Sequence, residues 1–381
     1  KFSVVAGAAE KMLSKKEEKL CALVMAGGRG ERFWPLSRNA YPKPFVHFTD
    51  NSSLIEKTIK RLETFIPLQN IFVATNQNYV KLLKKTLNNF PKENIISEPC
   101  VRDTAPCICL AAAIISQRVS ENPVMIVLPA DHLINDVKSF STTIKDSAKI
   151  AKSTNSVVTI GIKPDYPSTA YGYIESGKSI KSQSKIPFRE GLSFVEKPDV
   201  DKAKKLLKKG NFLWNAGIFI WEINTFAKLL QKYNPKLHKY FEIFKTADTS
   251  KKLQKSIKEN FPKIEKISID FALMEKLEQF IVAEANFDWD DVGAWDSIAK
   301  YFQKDNHNNN ILTPYFSSLN SENNIVADYS GRKHLIALLD IDNLIVINHK
   351  DATLICKKSS AQKLKSLIQK INENPKLKSF L

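Results

Sequence analysis

Glycine is scarce in this chain: 12 of 381 residues, about 3%, where about 7% is usual. Arginine is scarcer still, with eight among the 57 lysines and arginines. The 6 histidines form no ligand cluster. The 5 cysteines are odd in number, and Cys100, Cys107 and Cys109 make no metal-binding pattern. They read as reduced thiols, which places the protein in the cytoplasm. No apolar run reaches the length of a membrane span. The longest, residues 105–115, reads as a buried helix with Asp103 or Thr104 as its cap and Pro106 in its first turn. Also missing are zinc-finger spacings and basic blocks interleaved with aromatics. The net charge of +17 is therefore assigned to lysines solvating helical surfaces, as in "KAKKLLKK" at 202–209. Neither nucleic acid nor membrane is expected as a partner.

Against that scarcity, one stretch is rich in both rare residues. "LVMAGGRGERFWPLSRNAYPKPF", residues 23–45, holds Gly27, Gly28 and Gly30 within four positions, together with Arg29, Arg32 and Arg38. Glycine lets a backbone approach a ligand closely or adopt positive φ, and guanidinium forks suit phosphate oxygens. The stretch lacks the third glycine of the dinucleotide fingerprint, and no GxxxxGK[ST] occurs in the chain. What it offers is a strand, a glycine loop and two arginines, then Lys43 held between Pro42 and Pro44. Those prolines limit the backbone on both sides of the lysine. A phosphate-binding loop is the expectation, an ordinary strand-to-helix turn the alternative.

The length suits two domains, or one with an appendage. Strand-like runs at 22–26, 71–75, 124–128 and 157–162 alternate with helical stretches near 54–65, 79–89, 106–119 and 140–153. That alternation predicts a doubly wound, mostly parallel α/β sheet, whose ligands bind at the carboxyl ends of strands. The glycine loop and "LPADH" (128–132) both follow strands, so they are expected to line one crevice. "YGYIE", "LSFVEKP" and "WNAGIFIW" read as a substrate-side lobe. "KDNHNNN" (304–310) reads as a linker to a small C-terminal β-rich domain with a final helix near 361–372. Residues 1–9 faintly resemble a signal peptide, but the apolar stretch is at the lower limit and a Lys-rich helical stretch follows it. The expected division is an N-terminal helical extension over 1–20, a catalytic domain over 21–305 and the β-domain over 311–381.

The glycine-loop stretch resembles the signature of the sugar-nucleotide pyrophosphorylases. In chain order there follow "RDTAPCICLAAA", "LPADH", "YGYIE", "FVEKPD", "WNAGIFIW", "SIDFALMEK" and "DWDDVGAW". Together, over residues 23–368, they resemble the bacterial mannose-1-phosphate guanylyltransferases (GDP-mannose pyrophosphorylases). The resemblance implies a Rossmann-like nucleotidyltransferase domain, a short left-handed β-helix at the C-terminus, a cytoplasmic homodimer and Mg²⁺ as cofactor. It implies transfer of GMP from GTP to α-D-mannose 1-phosphate, giving GDP-mannose and pyrophosphate.

By the same resemblance, Arg32 and Lys43 neutralise the triphosphate and the departing pyrophosphate. Leu23, Ala26, Gly27, Gly28, Arg29, Gly30 and Arg102 complete the nucleotide side. Asp131 and Asp291 match the two metal-binding aspartates; taken alone, each is more simply a turn or loop carboxylate. Glu196, Lys197 and Asn215 match the sugar-phosphate side, and Gly172 leaves room for the sugar ring beside Tyr171. His132 reads as structural. The chain departs from the family's usual Arg-Asn-Thr at Arg102-Asp103-Thr104, where the aspartate either caps the next helix or repels the nucleotide. Isomerase activity, present where relatives continue into a further domain, is not expected. Two alternatives stay open: a pyrophosphorylase for another base or hexose, and a non-catalytic GDP-mannose-sensing subunit. The latter needs no triphosphate machinery, yet Arg32, Lys43, Asp131, Lys197 and Asp291 are all present.

Overall fold

The computed structural model describes residues 19–119 and 122–381. Most of the expected N-terminal extension, and the signal-peptide-like run, lie outside the described residues. The first domain is built on a nine-stranded sheet. Its strands are β1 (Leu20–Met25), β2 (Ile71–Asn76), β3 (Ile95–Glu98), β4 (Val124–Pro129), β5 (Val158–Ile162), β6 (Tyr173–Ile180), β7 (Phe188–Val195), β8 (Phe212–Glu222) and β9 (Phe280–Glu284). The spatial order is β3-β2-β1-β4-β8-β5-β9-β7-β6.

β1 lies inside the sheet, parallel to β2 on one side and β4 on the other. Its sequence LCALVM is continuously apolar because helices cover both faces of the sheet. Helix α1 (Leu54–Glu63) and helix α4 (Val137–Thr154) pack on the face presented by Ala22 and Val24. Helix α2 (Val80–Thr86) adds Leu83 to the same core. Helix α3 (Thr104–Arg118) covers the face of Cys21 and Leu23. Every residue of α3 from Ala105 to Ile115 is buried, because helices Ile223–Tyr233 and Pro235–Lys245 cover its outer side. Asp103 caps α3, accepting from Thr104 N at 2.8 Å. The residue that departs from the family pattern thus has a structural role.

The parallel character is confined to part of the sheet. β3, β2, β1 and β4 run parallel, as do β5 and β9. β8 is antiparallel to β4, β5 and β6. β7 is antiparallel to β6 and β9. The lobe read from "YGYIE", "LSFVEKP" and "WNAGIFIW" is this antiparallel half, continuous with the parallel half through β8. The sheet is mixed: β6 and β7 form an antiparallel hairpin, and β8 runs against its neighbours β4 and β5.

The C-terminal domain winds as a β-helix-like coil. β10 (Gln303–Lys304), β11 (Asn310–Leu312), β13 (Ile325–Tyr329), β15 (Leu344–His349) and β16 (Ala352–Lys357) form one sheet. β12 (Phe316–Leu319) and β14 (Ile336–Leu339) form a second. β11, β13 and β15 are parallel, and so are β12 and β14. β10 and β16 close the larger sheet with antiparallel partners at its edges. The asparagine-rich stretch read as a linker is instead the first turn of this coil. Asn309 and Asn324 are wholly buried. The Asn309 side-chain oxygen accepts from Asn324 N at 2.9 Å and Nδ2 at 3.0 Å. Asn324 Oδ1 in turn accepts from Leu344 N at 2.8 Å, so stacked amides satisfy the turns of successive coils.

The two domains share a core. Phe33, Trp34 and Leu36 from the glycine-loop stretch pack with Ile325, Ile345 and Leu364 of the coil and its final helix.

Candidate active site

β1 ends at Met25, and the glycine loop leaves its carboxyl end. Gly27 and Gly28 are exposed. A Cβ at Gly27 would meet nothing within 4 Å, and one at Gly28 only Asp131 Oδ2 at 3.9 Å. These two keep a surface bare. Gly30 differs: its φ is +69°, and a Cβ there would lie 2.3 Å from Lys43 Cβ. Only glycine allows the loop to close on the lysine. Lys43 opens a short 3-10 turn behind Pro42, which stiffens its backbone. The side chain is 9% exposed. Its Nζ lies 2.8 Å from Asp131 Oδ2 and donates to the Asp291 carbonyl at 2.7 Å.

Asp131 follows β4, and Asp291 lies in the loop after β9. Two backbone hydrogen bonds stitch these loops together, Leu133 N to Asp290 O at 2.9 Å and Asp290 N to Leu133 O at 3.0 Å. Lys43 therefore stands between two aspartates 160 positions apart. Burial raises the Asp131 carboxyl, but the Lys43 ammonium, with smaller help from His132 and a backbone hydrogen bond, holds the group below its ordinary range. Asp291 goes the other way. Burial raises it, and the negative charges of Asp290 and Asp131 add to the rise, against the pull of Lys43 and of the Tyr171 hydroxyl. Tyr171 donates to Asp291 Oδ1 at 2.8 Å and packs edge-on between Trp214 and Trp289. The site thus holds two carboxylates in a partly dry pocket, one of them short of positive charge.

The neighbouring aspartates are structural. Asp288 accepts from Asn135 N and Asp136 N at the start of α4. Asp290 accepts from Val292 N at 2.7 Å and pairs with Lys300 Nζ at 2.5 Å. His132 is buried, accepts from Trp289 Nε1 at 3.2 Å, and is pushed down to about 4 by burial, so its imidazole is neutral.

A second cluster lies beside the first through Tyr171. Asn215 N donates to Gly172 O at 2.8 Å, and the Lys197 ammonium pairs with Glu196. A Cβ at Gly172 would sit 2.6 Å from Glu196 Oε2 and 3.2 Å from the Phe194 ring. The absence of a side chain at Gly172 thus lets the Glu196 carboxylate lie against its backbone. Lys197 has φ +41°, a strained backbone for a non-glycine residue, and its side chain is 62% exposed. Asp270, which was not singled out from the sequence although "SIDFALMEK" was, completes the group. It accepts from Asn215 Nδ2 at 3.3 Å, and burial followed by the Glu196 charge pushes it up to about 6.

The other residues assigned to the nucleotide side differ in their surroundings. Leu23 is wholly buried in mid-sheet, with its backbone in ladders to β2 and β4. Ala26 is also buried; its N donates to Ala74 O, and its O accepts from Thr75 Oγ1, both at 2.8 Å. Both support the loop from beneath. The Arg102 guanidinium donates to Pro262 O, toward the helical cover of α3. Arg29 is 60% exposed, 4.0 Å from Glu31. Arg32 donates Nη1–H to Gln362 Oε1 at 2.7 Å, across the domain boundary.

For a metal, the donors here are hard oxygens. Among the described residues no cluster of three or more His, Cys, Asp or Glu side chains forms a cage. Two carboxylates with the rest of the shell left to phosphate and water is the arrangement Mg²⁺ favours. The raised Asp291, beside Asp131 and Asp290, is the kind of group an added cation relieves. Asp131 and Asp291 therefore fit a divalent ion.

Residues 21–308 match the family Nucleotidyl transferase, and residues 317–371 match the MannoseP isomerase/GMP-like beta-helix domain. The chain is 35% identical over 357 residues to a mannose-1-phosphate guanylyltransferase of Escherichia coli, covering 93% of this chain and 76% of that protein. It is 32% identical to one from Klebsiella pneumoniae, over 93% of this chain and 74% of the other. Among solved structures it resembles a mannose-1-phosphate geranyltransferase from Thermus thermophilus, with a TM-score of 0.82 and 31% identity. That match covers 93% of this chain and 99% of that one.

Proposed function

The chain belongs to the nucleotidyl transferase family, in its mannose-1-phosphate guanylyltransferase branch, and from that membership we propose how its residues divide the work. The reaction is transfer of GMP from GTP to mannose 1-phosphate, giving GDP-mannose and pyrophosphate. A sugar-phosphate oxygen is already anionic near neutral pH and needs no general base. The obstacle is bringing that anion to an α-phosphorus within a triphosphate, so rate comes from alignment and charge stabilisation.

The observation that carries the assignment is Lys43, fixed between Asp131 and the Asp291 loop at the mouth of the glycine loop. Lys43 and Arg32 hold the triphosphate and steady the departing pyrophosphate. The bare backbone at Gly27 and Gly28 admits the phosphates, with Arg29 at the rim. Lys197 pairs with the sugar phosphate, while Glu196 and Asn215 accept and donate to sugar hydroxyls. Members of this family use a divalent metal. We assign Mg²⁺, held by Asp131 and Asp291, where it supplies positive charge to phosphate oxygens when bound.

Among the described residues no helix is long and apolar enough to cross a membrane. The family resemblance further supports a cytoplasmic homodimer, which light scattering on the purified chain checks. A pyrophosphate-release panel tests the function. GTP with mannose 1-phosphate is expected to be the best pair. Equal or faster turnover of UTP with glucose 1-phosphate would overturn the substrate assignment. Tight GDP-mannose binding without turnover of any pair would favour a regulatory subunit.

A further inference from the structure

The glycine-loop stretch is fastened to the C-terminal domain at several points. Arg38 grips Asp351 through Nη1 at 3.1 Å and Nη2 at 2.5 Å. Trp34 Nε1 donates to Phe380 O at 2.8 Å, and Tyr329 donates its hydroxyl to Phe48 O at 2.9 Å. Beneath these bonds runs the shared core of Phe33, Trp34 and Leu36 with Ile345, Ala361 and Leu364.

The cations of the stretch are not held alike. Arg38 and Lys43 are ion-paired with carboxylates, and Arg29 lies at the limit of pairing with Glu31. Among the described residues Arg32 has no carboxylate partner; its guanidinium is held at 2.7 Å by the neutral amide of Gln362. Gln362 sits in the 3-10 turn Lys358–Lys363. Its neighbours Ala361 and Leu364 are 3% and 4% exposed in the shared core, which fixes its backbone. The segment is also free of acids: from Asp351 the next carboxylate is Glu373, while Lys357, Lys358, Lys363, Lys365 and Lys370 lie between.

We propose that the C-terminal domain is a working wall of the nucleotide site and that Gln362 is the positioning residue for Arg32. A neutral acceptor orients the guanidinium without cancelling its charge, so Arg32 stays available to a polyphosphate. A carboxylate at the same place would both neutralise it and repel the ligand. This rests on the reading of Arg32 as a triphosphate ligand.

The test uses the full chain with Gln362→Glu, Gln362→Ala and Arg32→Ala. KM is measured for GTP in the forward direction and for pyrophosphate in the reverse, and GDP-mannose binding by calorimetry. GDP-mannose lacks the leaving pyrophosphate and so serves as the internal control. Gln362→Glu is expected to raise both KM values about tenfold, and Gln362→Ala about threefold, less than the full loss of a charge-assisted hydrogen bond because the guanidinium keeps its charge and loses only its orientation. GDP-mannose affinity and melting temperature should hold, and the glutamate effect should shrink in high salt. If Arg32→Ala raises both KM values while Gln362→Glu leaves them at wild-type levels, Gln362 has no positioning role. An equal loss of affinity for all three ligands with a lower melting temperature would make it merely structural, which also overturns the proposal. If Arg32→Ala itself leaves the GTP and pyrophosphate KM unchanged, the reading of Arg32 beneath the proposal fails instead.

Discussion

Replacing Gly30 by alanine puts a methyl group where Lys43 already stands. The added carbon would lie 2.3 Å from Lys43 Cβ and 3.2 Å from its Cα, so the backbone of one segment must shift. Left-handed φ costs a non-glycine residue about 1–2 kcal/mol, and overpacking of this kind adds about 1–3 kcal/mol. The expected loss of stability is therefore about 2–5 kcal/mol. The functional loss should be larger in proportion. A displacement near 1 Å can cost about 100-fold in rate, and Lys43 is the residue displaced. Gly27→Ala is the matched control, because a Cβ there meets nothing within 4 Å and φ is not positive. Its melting temperature should stay at the wild-type value, while kcat/KM for GTP falls about tenfold or more, as a methyl group enters the space kept for phosphates. Thermal unfolding and pyrophosphate-release kinetics on both variants separate the two roles. Wild-type kcat in Gly30→Ala, or unchanged GTP kinetics in Gly27→Ala, would refute the reasoning.

On the sugar side, Lys197→Ala should raise KM for the sugar phosphate about 10- to 150-fold, the range for a lost charge-assisted hydrogen bond. GTP affinity should be little changed, and a loss confined to GTP would move Lys197 to the nucleotide side. Glu98 is 8% exposed, and burial pushes it up to about 7 from 4.5, against the weaker pull of a hydrogen bond from the Cys107 thiol. The folded chain then keeps a proton that the unfolded chain loses between these values. Stability falls as pH rises from about 4.5 to 7, by at most about 3 kcal/mol. Glu98→Gln should accordingly raise the melting temperature at pH 8 and leave it unchanged at pH 4.5; no gain at pH 8 would show the carboxylate is not penalised there. Arg38→Ala should lower the melting temperature and weaken the hold of the C-terminal domain, read by protease nicking near residues 304–316, since it breaks the two-pronged bond to Asp351.

The strands of the parallel half were legible because β1, β2 and β4 are continuous apolar runs of nearly the observed lengths. β3 was not, since IISE is short and alternates buried with less buried positions. The coil turn at 304–310 reads as a linker from sequence because asparagine is foremost a turn and loop residue. Only the contact between Asn309 and Asn324, fifteen positions apart, marks it as part of the coil. At the site, the glycine and lysine signals were local and could be read directly. The closeness of Gly172 to Glu196 was not legible, because it arises across the β6–β7 pair. Asp270 and Gln362 carry no local pattern; they reach the site through tertiary contacts with Asn215 and Arg32.

The joint action of Asp131 and Asp291 about Lys43 is most directly tested by a double-mutant cycle. The measurement is kcat for Asp131→Ala, Asp291→Ala and the double variant, with Mg²⁺ titrated in each. Either single substitution is expected to lower kcat by at least about 100-fold, the scale for losing one preorganised electrostatic group. The double variant should then be little worse than the poorer single one, because groups acting as a unit are non-additive. Near-wild-type turnover in Asp291→Ala, or losses that multiply fully in the double variant, would contradict a shared centre.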